Sequence, residues 1–325
     1  LISLRPFCAL LGVKVLDRRS VAADASVRMA AMADLAAIAI RWFDRNARDL
    51  PWRDPAAGPW GVLVSEVMLQ QTPVVRVLPA WRDWMARWPT PPDLAADPPA
   101  EAIRAWGRLG YPRRALRLHA CAVALTERHG GTVPADLDAL LALPGVGAYT
   151  ARAVAAFAYG QRQPVVDTNV RRLVARAATG LADAGPATTA ADLDATERLL
   201  PSDPARAARA SAAFMELGAL VCTARGPRCG ECPLAQACAW RLAGGVLGAG
   251  PTRRPQRYEG TDRHVRGLLM AVLRETPGPV FRDRLDMVWA DGEQRDRALA
   301  GLLADGLVEP VGGDRYALAG EISPS

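Results

Sequence analysis

The chain has 325 residues, half of them apolar, with 40 Lys and Arg against 34 Asp and Glu and a formal charge of +6. That length accommodates two or three domains and a sizeable core, and no run is long and apolar enough to span a bilayer as a helix. So mild a basic excess tilts only toward a polyanionic partner, but Lys14 is the only lysine, so the body of the chain has no ε-amino group for Schiff-base chemistry.

Residues 1–31 open with LISLRPFCALLGVKVLDRRS, which has Arg5 and a short apolar stretch but no clear cleavage site. They read as an N-terminal extension without fixed structure, ahead of a start at Met29 or Met32. From Ala33 to about Ala239 apolar residues recur at helical spacing, as in LAAIAIRWF and ALRLHACAVAL, with Pro and Gly breaks that predict about ten short helices. A Gly-, Pro- and Arg-rich linker is expected over 243–261. Residues 262–320 read as a small separate unit: helices through RHVRGLLMAVLRE, FRDRLDMVW and EQRDRALAGLLADG, then a hairpin, LVEPVGGDRYALA, turning at Gly-Gly-Asp. Three helices and a hairpin predict a winged-helix-like module, whose Arg282, Arg284, Arg295 and Arg297 could hold DNA or merely accompany packing on the rest of the chain.

Two local patterns carry chemistry. Cys222, Cys229, Cys232 and Cys238 fall within CTARGPRCGECPLAQAC. Four soft thiolates this close can wrap one metal centre. One C-x-x-C knuckle, two unevenly spaced cysteines and Pro233 suit a [4Fe–4S] cluster, with zinc as the rival. Cys8 and Cys121 read as inert. The second pattern is LPGVGAYTARAV at 143–154: an amphipathic helix capped by Asp136, a turn through Gly145, Val146 and Gly147, and a second helix ending near Gly160. Two glycines permit positive φ and close backbone approach, and the second helix offers free N–H groups at its start. This is a helix–hairpin–helix that grips a phosphate backbone, unless it is a plain helical corner.

Together with SEVMLQQT (65–72), PVVDTNVRRL (164–173), LPWR (50–53) and LGY (109–111), these patterns resemble the MutY family of adenine-specific DNA glycosylases, within the endonuclease III superfamily, over roughly residues 33–240. The resemblance implies a mainly α fold with two domains. A six-helix barrel would span 57–162, and an iron–sulfur helical domain would combine 32–56 with 163–242. It also implies a monomeric, cytoplasmic, nucleoid-associated enzyme acting on double-stranded DNA with mispaired adenine, holding one [4Fe–4S] cluster on the four cysteines. Glu66 matches the catalytic acid. Adenine leaves readily only when its N7 is protonated, and burial keeps a proton on a carboxyl near neutral pH. Asp167 matches the carboxylate that steadies the oxocarbenium-like sugar, and also reads as a helix N-cap. Tyr149 stands where bifunctional relatives place the lysine of G-x-K-T, which implies a monofunctional enzyme. Gln71 matches a duplex wedge, Tyr111 a ring near the orphaned base, Thr72 and Leu109 contacts to the opposing base, and Trp52 and Arg53 part of the adenine pocket. The chain departs from the family in DTNV for D-G-N-V, in GYP for G-Y-Y, and in lacking a Nudix box. A glycosylase for thymine opposite guanine and a non-catalytic iron–sulfur DNA-binding protein are the alternatives.

Overall fold

A computed structural model describes residues 35–246 and 258–322. The extension expected at 1–31, with Cys8, and the middle of the expected linker lie outside the described residues. The first described helix, α1 (35–46), packs far from its sequence neighbours. Leu35, Ala36, Ala39 and Phe43 share a core with Val170 and Leu173 of α9 (Thr168–Val174) and with Phe214 and Leu217 of α11 (Pro204–Leu220). The chain thus lays down one helix of this body, leaves it, and returns more than a hundred residues later.

The intervening segment builds a second body with its own core, from Leu50 to Ala155. It comprises α2 (Gly58–Leu69), α3 (Val74–Arg87), α4 (Pro91–Ala96), α5 (Pro99–Trp106), α6 (Arg113–His129), α7 (Leu137–Leu141) and α8 (Ala148–Phe157). The sequence of α2, GPWGVLVSEVML, is apolar on every side, as suits a helix surrounded by protein. Leu63, Val64, Ser65 and Met68 are accordingly sealed from solvent. Trp84 meets Trp88 and Trp106 edge to face, at ring separations of 4.6 and 5.7 Å, tying α3 to α5. With α10 (Ala190–Leu199) and α12 (Ala239–Leu242), twelve helices are described between residues 35 and 242, where about ten were expected.

The C-terminal elements run α13 (Asp262–Glu275), β1 (Val280–Phe281), α14 (Arg282–Asp286), α15 (Gly292–Ala304), β2 (Val308–Pro310) and β3 (Arg315–Leu318). This is a winged-helix-like order. The hairpin pairs Val308 with Leu318 and Pro310 with Tyr316, and its turn uses positive φ at Gly312, Gly313 and Asp314. Two features differ from the sequence reading. FRDRLDMVW is helical only over Arg282–Asp286, because Val280 and Phe281 pair with Tyr316 and Arg315 as a third strand. Moreover, the module's core includes Ala100 and Ile103 of α5, so its apolar interior continues into the barrel.

Candidate active site

A cleft of about 1050 Å³ opens between the two bodies. Glu66, Tyr149, Asp167, Trp52, Arg53, Gln71 and Thr72 all line it. Glu66 enters from α2, the most enclosed helix of the barrel, and is 5% exposed. Burial pushes its carboxyl up to about 7. The neighbouring Tyr149 hydroxyl opposes this, the negative charge of Asp167 reinforces it, and the charge of Arg53 opposes it. Tyr149 sits one residue inside α8, so the helix–hairpin–helix itself delivers the hydroxyl to the carboxyl.

Asp167 faces them from the other body as the N-cap of α9. Its Oδ1 accepts from the backbone N–H groups of Asn169 and Val170 at 2.9 and 2.7 Å, and its Oδ2 from the side-chain amide of Asn169 at 2.8 Å. Burial raises its pKa from the ordinary carboxylate value, while these donors and the charge of Arg172 pull against it. The amide cannot flip without loss, because Arg172 donates to Asn169 Oδ1 at 2.8 Å. Arg172 also donates to the carbonyls of Gly218 and Cys222, both at 2.6 Å, which ties α9 to α11. At Gly218 the helices nearly touch: a Cβ there would lie 2.6 Å from the Asn169 carbonyl oxygen.

Glu216, Arg48 and Arg114 have no motif in the sequence to mark them. Glu216 of α11 lines the same cleft and is 1% exposed. Burial alone would raise its pKa, yet Arg48 and Arg53 hold it at about 2. Arg48 donates from Nε and Nη2 at 2.8 Å and from its backbone N–H at 3.0 Å, and Arg53 from Nη2 at 2.8 Å. The only hint in FMELGALVC is a lone glutamate on an apolar helix. Arg114, which reads as one of several charges in YPRRALRL, is buried. Its guanidinium donates to the carbonyls of Val67 and Met68 at 2.9 Å, of Gln70 at 2.5 Å and of Gly110 at 3.0 Å, and to Thr72 Oγ1 at 2.9 Å. Desolvation lowers it to about 10. One arginine thereby fixes two loops at the rim of the cleft, each with a non-glycine residue in the left-handed region: Gln71 (φ 55°) and Tyr111 (φ 49°). Leu109 is buried beside them, its carbonyl accepting from Thr72 Oγ1 at 3.3 Å.

The remaining predicted residues lie elsewhere. In the hairpin, Gly145 has φ +76° and lies against Arg117, so a side chain there would clash. Gly147 does not use the positive φ expected of it: it is extended (φ −92°, ψ 175°), as any residue can be, and caps α8 without a side-chain bond. Nothing lies within 4 Å of where its Cβ would be, so the chain is uncrowded on that side at the start of α8. Val146 turns its side chain into the core and offers only backbone. Cys222, Cys229, Cys232 and Cys238 line one pocket with Leu173, Leu234 and Trp240, and none of the four is in a disulfide. A π-helical turn after α9, Ala175–Thr179, brings buried Arg176 to this pocket, with Nη1 3.5 Å from Cys222 Sγ. Burial and the neighbouring cysteines push the Cys232 thiol up to about 11. Among the described residues no three His, Cys, Asp or Glu side chains are grouped to hold a single ion. Four convergent thiols, apolar walls and a buried cation nevertheless fit an anionic thiolate-bound group. Cys121 is buried and pushed up to about 12, in keeping with an inert thiol.

Residues 64–197 match the HhH-GPD superfamily of base excision DNA repair proteins. The chain is 60% identical over 283 residues to an adenine DNA glycosylase of Mycolicibacterium smegmatis, covering 87% of this chain and 95% of the relative. It is 57% identical to one of Mycobacterium tuberculosis, covering 87% and 92%. The chain belongs to the adenine DNA glycosylase family. Among solved structures, a thermostable thymine-DNA glycosylase shares the fold with a TM-score of 0.59 and 25% identity, covering 66% of this chain and 98% of that one. The superfamily fold accounts for the placement of the cleft: α1 packs with α9 and α11 in the first body, so the cleft facing the barrel is walled by residues from distant parts of the chain. Among the described residues no helix is long and apolar enough to cross a membrane.

Proposed function

We propose that this chain hydrolyses the N-glycosidic bond of adenine mispaired with 8-oxoguanine or guanine in duplex DNA, as a monomer, and leaves an abasic site. The observation that carries this reading is the split between two carboxyls of one cleft. Glu66 is sealed in apolar surroundings and poised near neutrality, while Asp167 is surrounded by donors that favour its charged form. Burial raises both, but only Asp167 has three donors to hold its charge, and carboxyls in such unlike surroundings divide acid and anion roles. Glu66 gives its proton to N7 of the extruded adenine, so the departing base leaves neutral. Asp167 faces the sugar and stabilises the positive charge that grows there. Tyr149, whose hydroxyl lies near enough to Glu66 to favour its charged form, orients the acid and stands beside the sugar.

No lysine lies in the described part of the chain, and position 149 is tyrosine. The sugar cation is therefore captured by water and not by an amine, which makes the enzyme monofunctional. Trp52 and Arg53 flank the adenine. Gln71 fills the gap in the duplex, Thr72, Leu109 and Tyr111 meet the opposing base, and the backbone of Gly145, Val146 and Gly147 binds a phosphate. Cys222, Cys229, Cys232 and Cys238 would hold one [4Fe–4S] cluster, which supplies a covalent cross-link for the loop behind α9 and takes no part in base release. We propose an organisation into a barrel over 57–162, an iron–sulfur domain over 32–56 with 163–242, and a module over 262–320; separate cores support the first two, with Leu50 and Trp52 packing on the barrel side.

A panel of duplexes tests the assignment: adenine opposite 8-oxoguanine, guanine and cytosine, and thymine opposite guanine. Adenine release confined to the first two is expected, with no borohydride-trapped protein–DNA adduct. Thymine release as the main activity overturns the substrate, and a trapped adduct in good yield overturns the monofunctional mechanism.

A further inference from the structure

The C-terminal module is built onto the barrel and reaches the Tyr111 loop, which Arg114 ties to the cleft-lining Gln71–Thr72 turn. Val265 and Leu269 of α13 share one core with Ala100 and Ile103 of α5. Arg104 pairs with Glu321 and donates to the Thr276 carbonyl at 3.1 Å, and Arg113 pairs with Asp305 at 3.2 Å. Gly320 lies so close to Pro99 that a Cβ would come within 2.8 Å of its ring. This docking fixes the first turn of α13 beside Tyr111. The exposed guanidinium of Arg263 stands 5.3 Å from the centre of the Tyr111 ring and 5.9 Å from that of Tyr258. Arg114 approaches the Tyr111 ring from the barrel, at 5.6 Å.

Tyr111 itself is unusual. It is 47% exposed and left-handed, in a loop clamped to the cleft-lining Gln71–Thr72 turn by Arg114. Holding an exposed aromatic ring in a disfavoured backbone state suits a contact surface better than a packing role. When a base is drawn into the cleft, the duplex lies across the rim and the widowed partner faces the groups exposed there. An aromatic ring is a stacking platform for such a base. Several of the module's other arginines are engaged otherwise: Arg266 with Asp305, Arg282 with Asp286 and Asp296, Arg295 with Asp286, and Arg297 with Asp262 at 3.7 Å.

We infer that Arg263 is a positioning residue that sets the plane of the Tyr111 ring against the base opposite adenine, so that the C-terminal module determines opposite-base preference through the barrel's own loop. This rests on the adenine glycosylase reading above. An exposed cation–π contact contributes about 0.5–1 kcal/mol, or about two- to fivefold in affinity.

The test uses the full chain, with Arg263→Ala, Arg263→Lys, Tyr111→Ala and the Arg263→Ala/Tyr111→Ala double variant. Affinities are measured for duplexes holding an uncleavable adenosine analogue opposite 8-oxoguanine or guanine, and thermal melting reports folding. The expected result is a two- to fivefold loss of 8-oxoguanine preference in Arg263→Ala, an unchanged melting temperature, partial loss in Arg263→Lys, and no further loss when Tyr111→Ala is already present. Equal weakening for both partners with a salt slope reduced by about one marks a plain phosphate contact and overturns the inference, as does an unchanged preference. Adenine release by the wild type is assayed in parallel. Its absence refutes the parent reading and this inference together, whereas normal release with an unmoved preference refutes the inference alone.

Discussion

The cleft contains two buried glutamates with opposite fates. Glu66, on the barrel wall, is 5% exposed and raised to about 7. Glu216, on the facing wall, is 1% exposed and lowered to about 2. Burial drives both upward, so it does not separate them. The difference lies in the donors. Glu216 receives two arginine side chains and a backbone N–H, whereas Glu66 receives a neutral phenol and faces a second carboxylate. One glutamate is thereby left able to part with a proton near neutral pH, and the other is locked as an anion that fastens α11 to the segment leading into the barrel.

The sharpest way to break this contrast is Glu66→Gln, which keeps the shape and removes the proton donor. General acid catalysis contributes about 10²–10⁴-fold, so single-turnover adenine release should fall by that order while binding to mispaired duplex persists. A residual rate within tenfold of wild type would remove Glu66 from the chemistry. Next in size, Glu216→Ala leaves Arg48 and Arg53 facing each other without their anion. The loss removes charge-assisted hydrogen bonds to two partly exposed arginines, worth about 1.5–3 kcal/mol, which should appear as a lower urea midpoint. Glu216 has a folded value below that of the unfolded chain, so its contribution is present above about pH 4.5 and is lost as pH falls toward about 2.

For Glu66 the sign is reversed. Its folded value lies above the unfolded 4.5, so the wild type loses stability as pH rises from there through about 7. The stability of Glu66→Gln relative to wild type should therefore climb over that window, by up to about 3 kcal/mol. The rate of base release should fall above about pH 7, by about tenfold per unit, and fall again at acid pH where Asp167 takes up a proton. The smallest effect sharpens the comparison. The Tyr149 hydroxyl lowers Glu66, so Tyr149→Phe should move the alkaline limb of the rate profile to higher pH. A limb that stays in place would show that the phenol does not govern the acid.

How much of this was legible beforehand depends on distance along the chain. Glu66, Asp167 and Tyr149 sit in short segments whose residue order carries the family resemblance, although a lone glutamate on an apolar helix does not by itself imply a shielded acid. The fold class was legible for the same reason, since helical spacing and Pro or Gly breaks are local. Glu216 and Arg48 escaped because their significance arises from a pairing across 168 residues, and nothing in either segment points to the other. Arg114 reads as solvated until two loops close over it. Strand β1 escaped because two residues cannot display an alternating pattern, and the turn at Gly147 was misjudged because glycine there supplies room instead of an unusual φ.

The contact between α9 and α11 at Gly218 bears on how inherited changes in this gene would be judged. A single nucleotide suffices to convert glycine to alanine, and the added methyl would push on the main chain that presents Asp167. Such an allele would preserve each group that handles protons or sugar, and an inventory of those groups would pass it as benign. It would nonetheless encode a repair protein with its anion out of line, and the lesion would be visible only to someone who had measured the gap between two helices.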